Sequence, residues 1–145
     1  MTPFTAEQRK ETFELLCSIR QQAGAEASPP LQHLLGCSVG NQTYCIVRDA
    51  SGVPIGYFAW AKVIRETVAR LYRSQELPAY SCEWHEGHIT LLLDVCFLPG
   101  APAQARQPFF EFVKAQRALA YGKGRKANLW LRRAGQRRCS PKHFA

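Results

Sequence analysis

The apolar and polar positions of the chain alternate with two different periods. Ile55, Tyr57, Ala59 and Ala61 fall on one face of an extended segment and Gly56, Phe58 and Trp60 on the other. A segment apolar on both faces predicts a strand in the middle of a covered sheet. Gly56 inside it implies close approach of another group. The preceding Asp49-Ala50-Ser51-Gly52 has hairpin turn chemistry, and Gln42 to Arg48 alternates as the partner strand. Ile89 to Leu98 is nearly continuous apolar sequence and predicts a second central strand. Ala127 to Leu131 predicts a last one.

Helical spacing fills the intervals. Thr5 and Gln8 form a capping-box pattern ahead of Phe13, Leu16 and Cys17, which predicts a helix from residue 6 to about 23. Ala23-Gly24 to Ser28-Pro29-Pro30 ends it, and Leu31 to Cys37 is a short apolar turn or helix. Residues 62–74 form an amphipathic helix with Ile64, Thr67, Val68 and Leu71 inward. Residues 75–88 are polar and irregular. Residues 105–121 predict another helix, with Phe109, Phe112, Val113, Gln116 and Leu119 on a stripe. The order is helix, strand, strand, helix, strand, helix, strand, an α+β chain with a mixed sheet. One domain over residues 1–133 and a loosely held basic tail over 134–145 are expected.

Charge changes the picture only at the end of the chain. The net charge is +8, and every acidic residue precedes Gly122. Lys123, Arg125, Lys126, Arg132, Arg133, Arg137, Arg138 and Lys142 face no acid in this stretch. Such a strip suits an acidic partner such as nucleic acid, an anionic membrane surface or an acidic protein, or it is a solvated tail. No apolar run approaches the roughly 18 residues of a membrane span. The polar start, Met1 to Lys10, has no secretory pattern, so a cytoplasmic location is expected. The six cysteines contain no Cys-x-x-Cys pair, and a disulfide framework is not expected. Cys17, Cys45 and Cys96 sit in apolar runs and are expected to be buried thiols.

Asp94 is the sharpest chemical signal. A carboxylate inside Leu91-Leu92-Leu93-Asp94-Val95-Cys96-Phe97 is costly to bury unless it is paired or used. Desolvation there would favour acid–base work, whereas an arginine partner would make it structural. Cys82, His85 and His88 have ligand-like spacing, but a fourth ligand and a second pair are missing, so no metal is expected. Residues 99–105 join a strand to a helix whose N–H groups could hold a phosphate, without a strict phosphate-loop pattern. Trp60 and Trp84 are either core residues or the walls of an acyl groove.

Taken in order, these blocks resemble a known family, the RTX toxin-activating (hemolysin-activating) lysine acyltransferases. Gln42 to Asp49 followed by Pro54 to Ala61 matches its Gln-led strand, turn, and strand ending in Trp-Ala. Glu83-Trp84-His85-Glu86-Gly87 is similar to its Trp-x-x-Gly. Leu93-Asp94 with Pro99-Gly100 is similar to its Asp-x-x-Ala-Pro-x-Gly, with the proline displaced by one. Gly124-Arg125-Lys126 and Arg132-Arg133 flank the last strand similarly.

The resemblance implies a three-layer fold like that of the GNAT-type acetyltransferases around a central mixed sheet. It implies transfer of a fatty acyl group from acyl carrier protein to a lysine ε-amine of a protoxin-type protein, and often a homodimer. Acyl-acyl carrier protein is then the donor, with no bound cofactor. It assigns catalysis to Asp94 and a histidine, and substrate contacts to Trp60, Ala61, Trp84, Gly100, Arg125 and Lys126. The family histidine follows a Ser-Pro, which Ser28-Pro29-Pro30-Leu31-Gln32-His33 echoes, nine residues before Gln42. A gapless placement falls instead near Arg20 to Gln22, where there is no histidine. Either His33 takes the role or the histidine is lost. Loss would mean altered chemistry or a non-catalytic relative, the latter a binding or regulatory module acting through its basic strip on nucleic acid or an acidic protein. A small-acyl transferase using acetyl-coenzyme A is a third option.

Overall fold

The structure, a computed structural model, describes residues 4–74, 87–123, 126–131 and 140–143, with side chains over 4–70 and 87–121. It is an α+β chain with a mixed sheet. The elements are α1 (Ala6–Gln22), α2 (Pro29–Asn41), β1 (Tyr44–Arg48), β2 (Pro54–Val63), α3 (Arg65–Ser74), β3 (Ile89–Phe97), α4 (Gln107–Ala115), β4 (Ala118–Lys123), β5 (Lys126–Leu131) and β6 (Ser140–His143). They group into two compact units, residues 1–59 with 94–108, and residues 60–93 with 109–145. Strands β2 and β3 each contribute one part to each unit.

In the first unit α1 begins as its sequence predicts. The Thr5 hydroxyl accepts from the Gln8 N–H and the Gln8 side chain accepts from the Thr5 N–H. Its buried face, Leu16 and Ile19, packs with Leu35 and Val39 of α2 and with Tyr57, Ala59 and Cys96. The hairpin β1–β2 is antiparallel, Tyr44 opposite Ala59, with an irregularity between Val47 and Arg48. Asp49 organises the turn: its Oδ1 accepts from the N–H groups of Ser51 and Val53 at 2.9 Å each. Gly52 takes φ +86°, which a side chain would resist. The strand segment Ile55 to Ala59 is buried on both faces, as the apolar pattern predicts. The close approach expected at Gly56 comes from a side chain: a Cβ there would overlap the Phe97 ring.

In the second unit the start of β3 runs parallel to β4, Thr90 opposite Leu119. Strand β5 is antiparallel to β4, and β6 antiparallel to β5. Ala61, Val63, Val68, Thr67, Leu91, Leu119 and Ala120 are buried. Trp60 packs on Phe112 of α4, with ring centroids 4.3 Å apart.

Several expectations are corrected. Residues 29–41 form a full helix rather than a short turn. Ser28 caps it by accepting from the Leu31 N–H at 3.4 Å, and Pro29 and Pro30 occupy the first turn, where no N–H is needed. Gln42 ends that helix in the left-handed region (φ 57°), so it does not belong to β1. The helix expected over 105–121 is a short 3-10 turn, Ala103–Arg106, then α4, which stops at Ala115. Ala118 to Tyr121 extends instead, because pairing with β3 and β5 satisfies its backbone and covers its apolar residues. Within the expected tail, Ser140–His143 is a strand on the outer side of β5. The helix expected over 62–74 begins only at Arg65: Lys62 and Val63 belong to β2. Ile64, between the two elements, is more than a third exposed rather than inward, while Leu71 lies outside the described side chains.

Candidate functional site

Asp94 lies in the first unit, on β3, among apolar neighbours. Its carboxylate is taken up from two directions. Arg20, in the last turn of α1, donates from Nη1 to Oδ1 and Oδ2 at 2.9 Å each. Tyr57, on β2, donates its hydroxyl to Oδ2. Arg20 is itself steadied by a bond from Nε to the Ala25 carbonyl at 2.8 Å, in the segment that leaves α1. The Arg20 and Asp94 side chains keep 16% and 14% of their surface, whereas Tyr57 is fully buried.

Local sequence explains the convergence. Arg20 follows Leu16 one helical turn on and is next to the buried Ile19, so it sits at the margin of the face that α1 buries. Tyr57 is on the buried face of β2, and its ring belongs to the same apolar cluster as Leu16 and Ile19. A buried phenol needs a partner for its hydroxyl, and Asp94 supplies it.

The electrostatics follow. Burial, with the hydrogen bond to Asp94 and the Asp94 charge, pushes the Tyr57 hydroxyl well above the usual tyrosine range. Burial opposes the charge on Arg20, but Tyr57 and Asp94 outweigh it and the guanidinium is held more firmly charged. Burial raises the nearby Cys96 and Cys17 thiols, with Arg20 working the other way. Both are therefore poor thiolate nucleophiles. Cys96 is buried, while Cys17 and Cys45 are only half-buried.

The other sequence candidates are spread out. His33 is exposed on α2, its Nε2 3.7 Å from Cys37 Sγ one turn on. No hydrogen bond joins His33 to Asp94. Gly100 is exposed in the loop after β3, with open space around it. Trp60 and Ala61 are in the second unit, Ala61 fully buried. Lys126 opens β5, and its side chain lies outside the described ones. Trp84, Arg125, Arg132, Arg133, Cys82 and His85 also lie outside the described residues. Among the described residues no group of three His, Cys, Asp or Glu side chains could hold a metal ion, and no helix is long and apolar enough to cross a membrane.

Arg20 and Tyr57 are the members that the sequence did not single out as site residues. Tyr57 was legible only as a core position. Arg20 carried one signal, its place in the last turn of a helix whose apolar face ends beside it.

No protein-family model matches the chain, and no curated protein matches it.

Proposed function

We propose that the chain is a fatty acyltransferase that moves an acyl group from acyl carrier protein to a lysine ε-amine of a protein substrate. The sequence order that resembles the toxin-activating acyltransferases carries this reading, and the structure adds one observation. Asp94, a carboxylate within an apolar strand, is oriented by Arg20 and Tyr57 while part of it remains open to solvent, although the Arg20 pairing is equally what a structural carboxylate would have. An oriented, reachable carboxylate is what proton removal from an attacking amine requires. The lysine nitrogen attacks the thioester carbonyl, an amide bond forms and the carbon–sulfur bond breaks. The amine proton passes to the Asp94 carboxylate and then to the departing thiolate. Tyr57, kept protonated, and Arg20, kept charged, hold Asp94 in place throughout. His33, exposed and in contact with Cys37, has no part in this arrangement.

The basic residues after Gly122 suit an acidic carrier protein. The test is incubation of the full chain with long-chain acyl-acyl carrier protein and a lysine-bearing acceptor. Acceptor mass should rise by one acyl group, and Asp94→Ala should abolish the gain. No gain with the unaltered chain would overturn the proposal.

A second reading has its own support. A gapless placement puts the family histidine near Arg20 to Gln22, and within that stretch it is Arg20 that engages both Asp94 oxygens. The cluster would then be a structural ion pair in a non-catalytic relative that binds an acidic partner. Absence of acyl transfer, together with nucleic-acid or acidic-protein binding that falls steeply with salt, would favour it.

A further inference from the structure

The second unit contains a polar cleft that neither reading uses. Lys62 Nζ donates to Thr90 Oγ1 at 2.5 Å and to Gln116 Oε1 at 2.6 Å. The Thr90 hydroxyl donates to the same Gln116 oxygen at 2.6 Å. Gln116 Nε2 donates to the Phe112 carbonyl at 3.0 Å, which fixes the orientation of the amide. Thr90 is fully buried and Lys62 is half-buried. Beside this triangle lies a cavity of about 540 Å³ lined by Lys62, Gly87, His88, Ala115, Gln116 and Arg117. A Cβ at Gly87 would overlap the Val63 carbonyl, so this wall sits directly against the β2 backbone.

Hydrogen-bonding capacity decides what the cavity can hold. Gln116 Oε1 already accepts twice, and Thr90 Oγ1 already accepts from Lys62. What remains is donors: the third Lys62 N–H, the second Gln116 N–H and the Arg117 guanidinium, with the His88 ring beside them. Lys62 and Arg117 bring two positive charges. Among the described residues neither forms an ion pair, and no carboxylate lines the cavity. An ammonium group that is half-buried with no counter-ion among the described residues is costly, and burial lowers the Lys62 pKa accordingly. An anion would reverse that cost. A cavity of this volume lies within the range of small-molecule sites, about 300–1,000 Å³, so it has room for more than the anion.

We propose that this cavity binds the phosphate monoester of a small organic molecule. Lys62, Gln116 and Arg117 take the phosphate oxygens, and the organic part fills the remaining space. Donors converging from Lys62 on β2 and from Gln116 and Arg117, the two residues that follow α4, suit a tetrahedral dianion better than a planar carboxylate. The site lies wholly in the second unit, so it stands or falls independently of Asp94.

Calorimetric titration of the full chain with glycerol 3-phosphate, inorganic phosphate and acetate tests this. The monoester should bind saturably, more tightly than inorganic phosphate and far more tightly than acetate. Arg117→Gln, at an exposed position, should weaken it by about tenfold, the value of one charge-assisted hydrogen bond. Lys62→Met should weaken it at least as much. Lys114→Gln, an exposed position outside the cavity, should leave it unchanged. Absence of saturable binding, binding that Arg117→Gln leaves intact, or acetate binding of equal strength each overturns the proposal. Should Lys62→Met fail to fold, the Arg117 variant alone decides.

Discussion

Arg20 Nη1 and the two carboxylate oxygens of Asp94 meet at 2.9 Å, joining the end of α1 to β3 across 74 residues of sequence. One nitrogen serves both oxygens, and the Tyr57 hydroxyl adds a third bond to the same carboxylate. Removing one partner leaves the other charge shielded from water with only a neutral partner, Tyr57 for Asp94 or the Ala25 carbonyl for Arg20. Because both side chains retain some exposure, the cost falls below that of a fully buried pair, at about 2–3 kcal/mol. Arg20→Ala and Asp94→Ala should each lower the unfolding free energy by that amount in urea denaturation. The double variant should lose clearly less than the sum. Additive losses would show that the two residues are not coupled.

Tyr57 should stay protonated while ordinary tyrosines ionise. Its folded pKa is raised above the unfolded value near about 10. The native state therefore keeps a proton that the unfolded chain loses above that pH. Its contribution to stability is complete below pH about 10 and is lost as pH rises further. Spectrophotometric titration of the folded chain should be the same for wild type and Tyr57→Phe up to pH about 11. Tyr57→Phe should cost about 1–2 kcal/mol at neutral pH by removing one bond to a charged acceptor. It should also flatten the alkaline decline. A tyrosine signal lost in the variant near pH 10 would contradict this.

Gly56→Ala should destabilise the first unit through Phe97, because the new methyl group would occupy the space of the ring. Overpacking of this kind costs about 1–3 kcal/mol. Combining it with Phe97→Leu should recover part of the loss, as thermal or urea unfolding would show. A neutral Gly56→Ala would mean that the ring moves aside freely.

Gln42→Gly should act in the opposite direction. Gln42 is exposed and closes α2 with φ 57°, a conformation that favours glycine. Release of that strain, less the entropy glycine adds to the unfolded chain, should raise stability by up to about 1 kcal/mol. A loss on urea unfolding would show that the Gln42 side chain contributes more than its backbone costs.

Much of the fold was legible because it is set locally. The capping box at Thr5, the Asp49–Gly52 turn and the two-faced apolar run of β2 each state their structure within a few residues. Where local preference and long-range pairing disagree, the sequence misleads. Ala118-Leu119-Ala120 has helical propensity, yet its place beside β3 and β5 makes it a strand. A segment ending at Cys37 leaves out Val39, which with Leu31, Leu34 and Leu35 carries the apolar face of α2. At the site, Asp94 announced itself by its apolar neighbours. Its partners did not, since an arginine on a helix and a tyrosine on a strand are ordinary in isolation and meet only through tertiary structure. The Lys62–Thr90–Gln116 triangle was hidden for the same reason.

The proposed transfer requires the Asp94 carboxylate to do chemistry rather than only hold Arg20 and Tyr57. Asp94→Asn keeps the shape of the side chain and a hydrogen-bond acceptor while removing the base. The direct measurement is single-turnover transfer from acyl-acyl carrier protein to a lysine acceptor, read by acceptor mass, for both chains at matched fold content. A loss of about 100-fold or more in the variant is the predicted result. Equal rates, or no transfer by the unaltered chain, would contradict it.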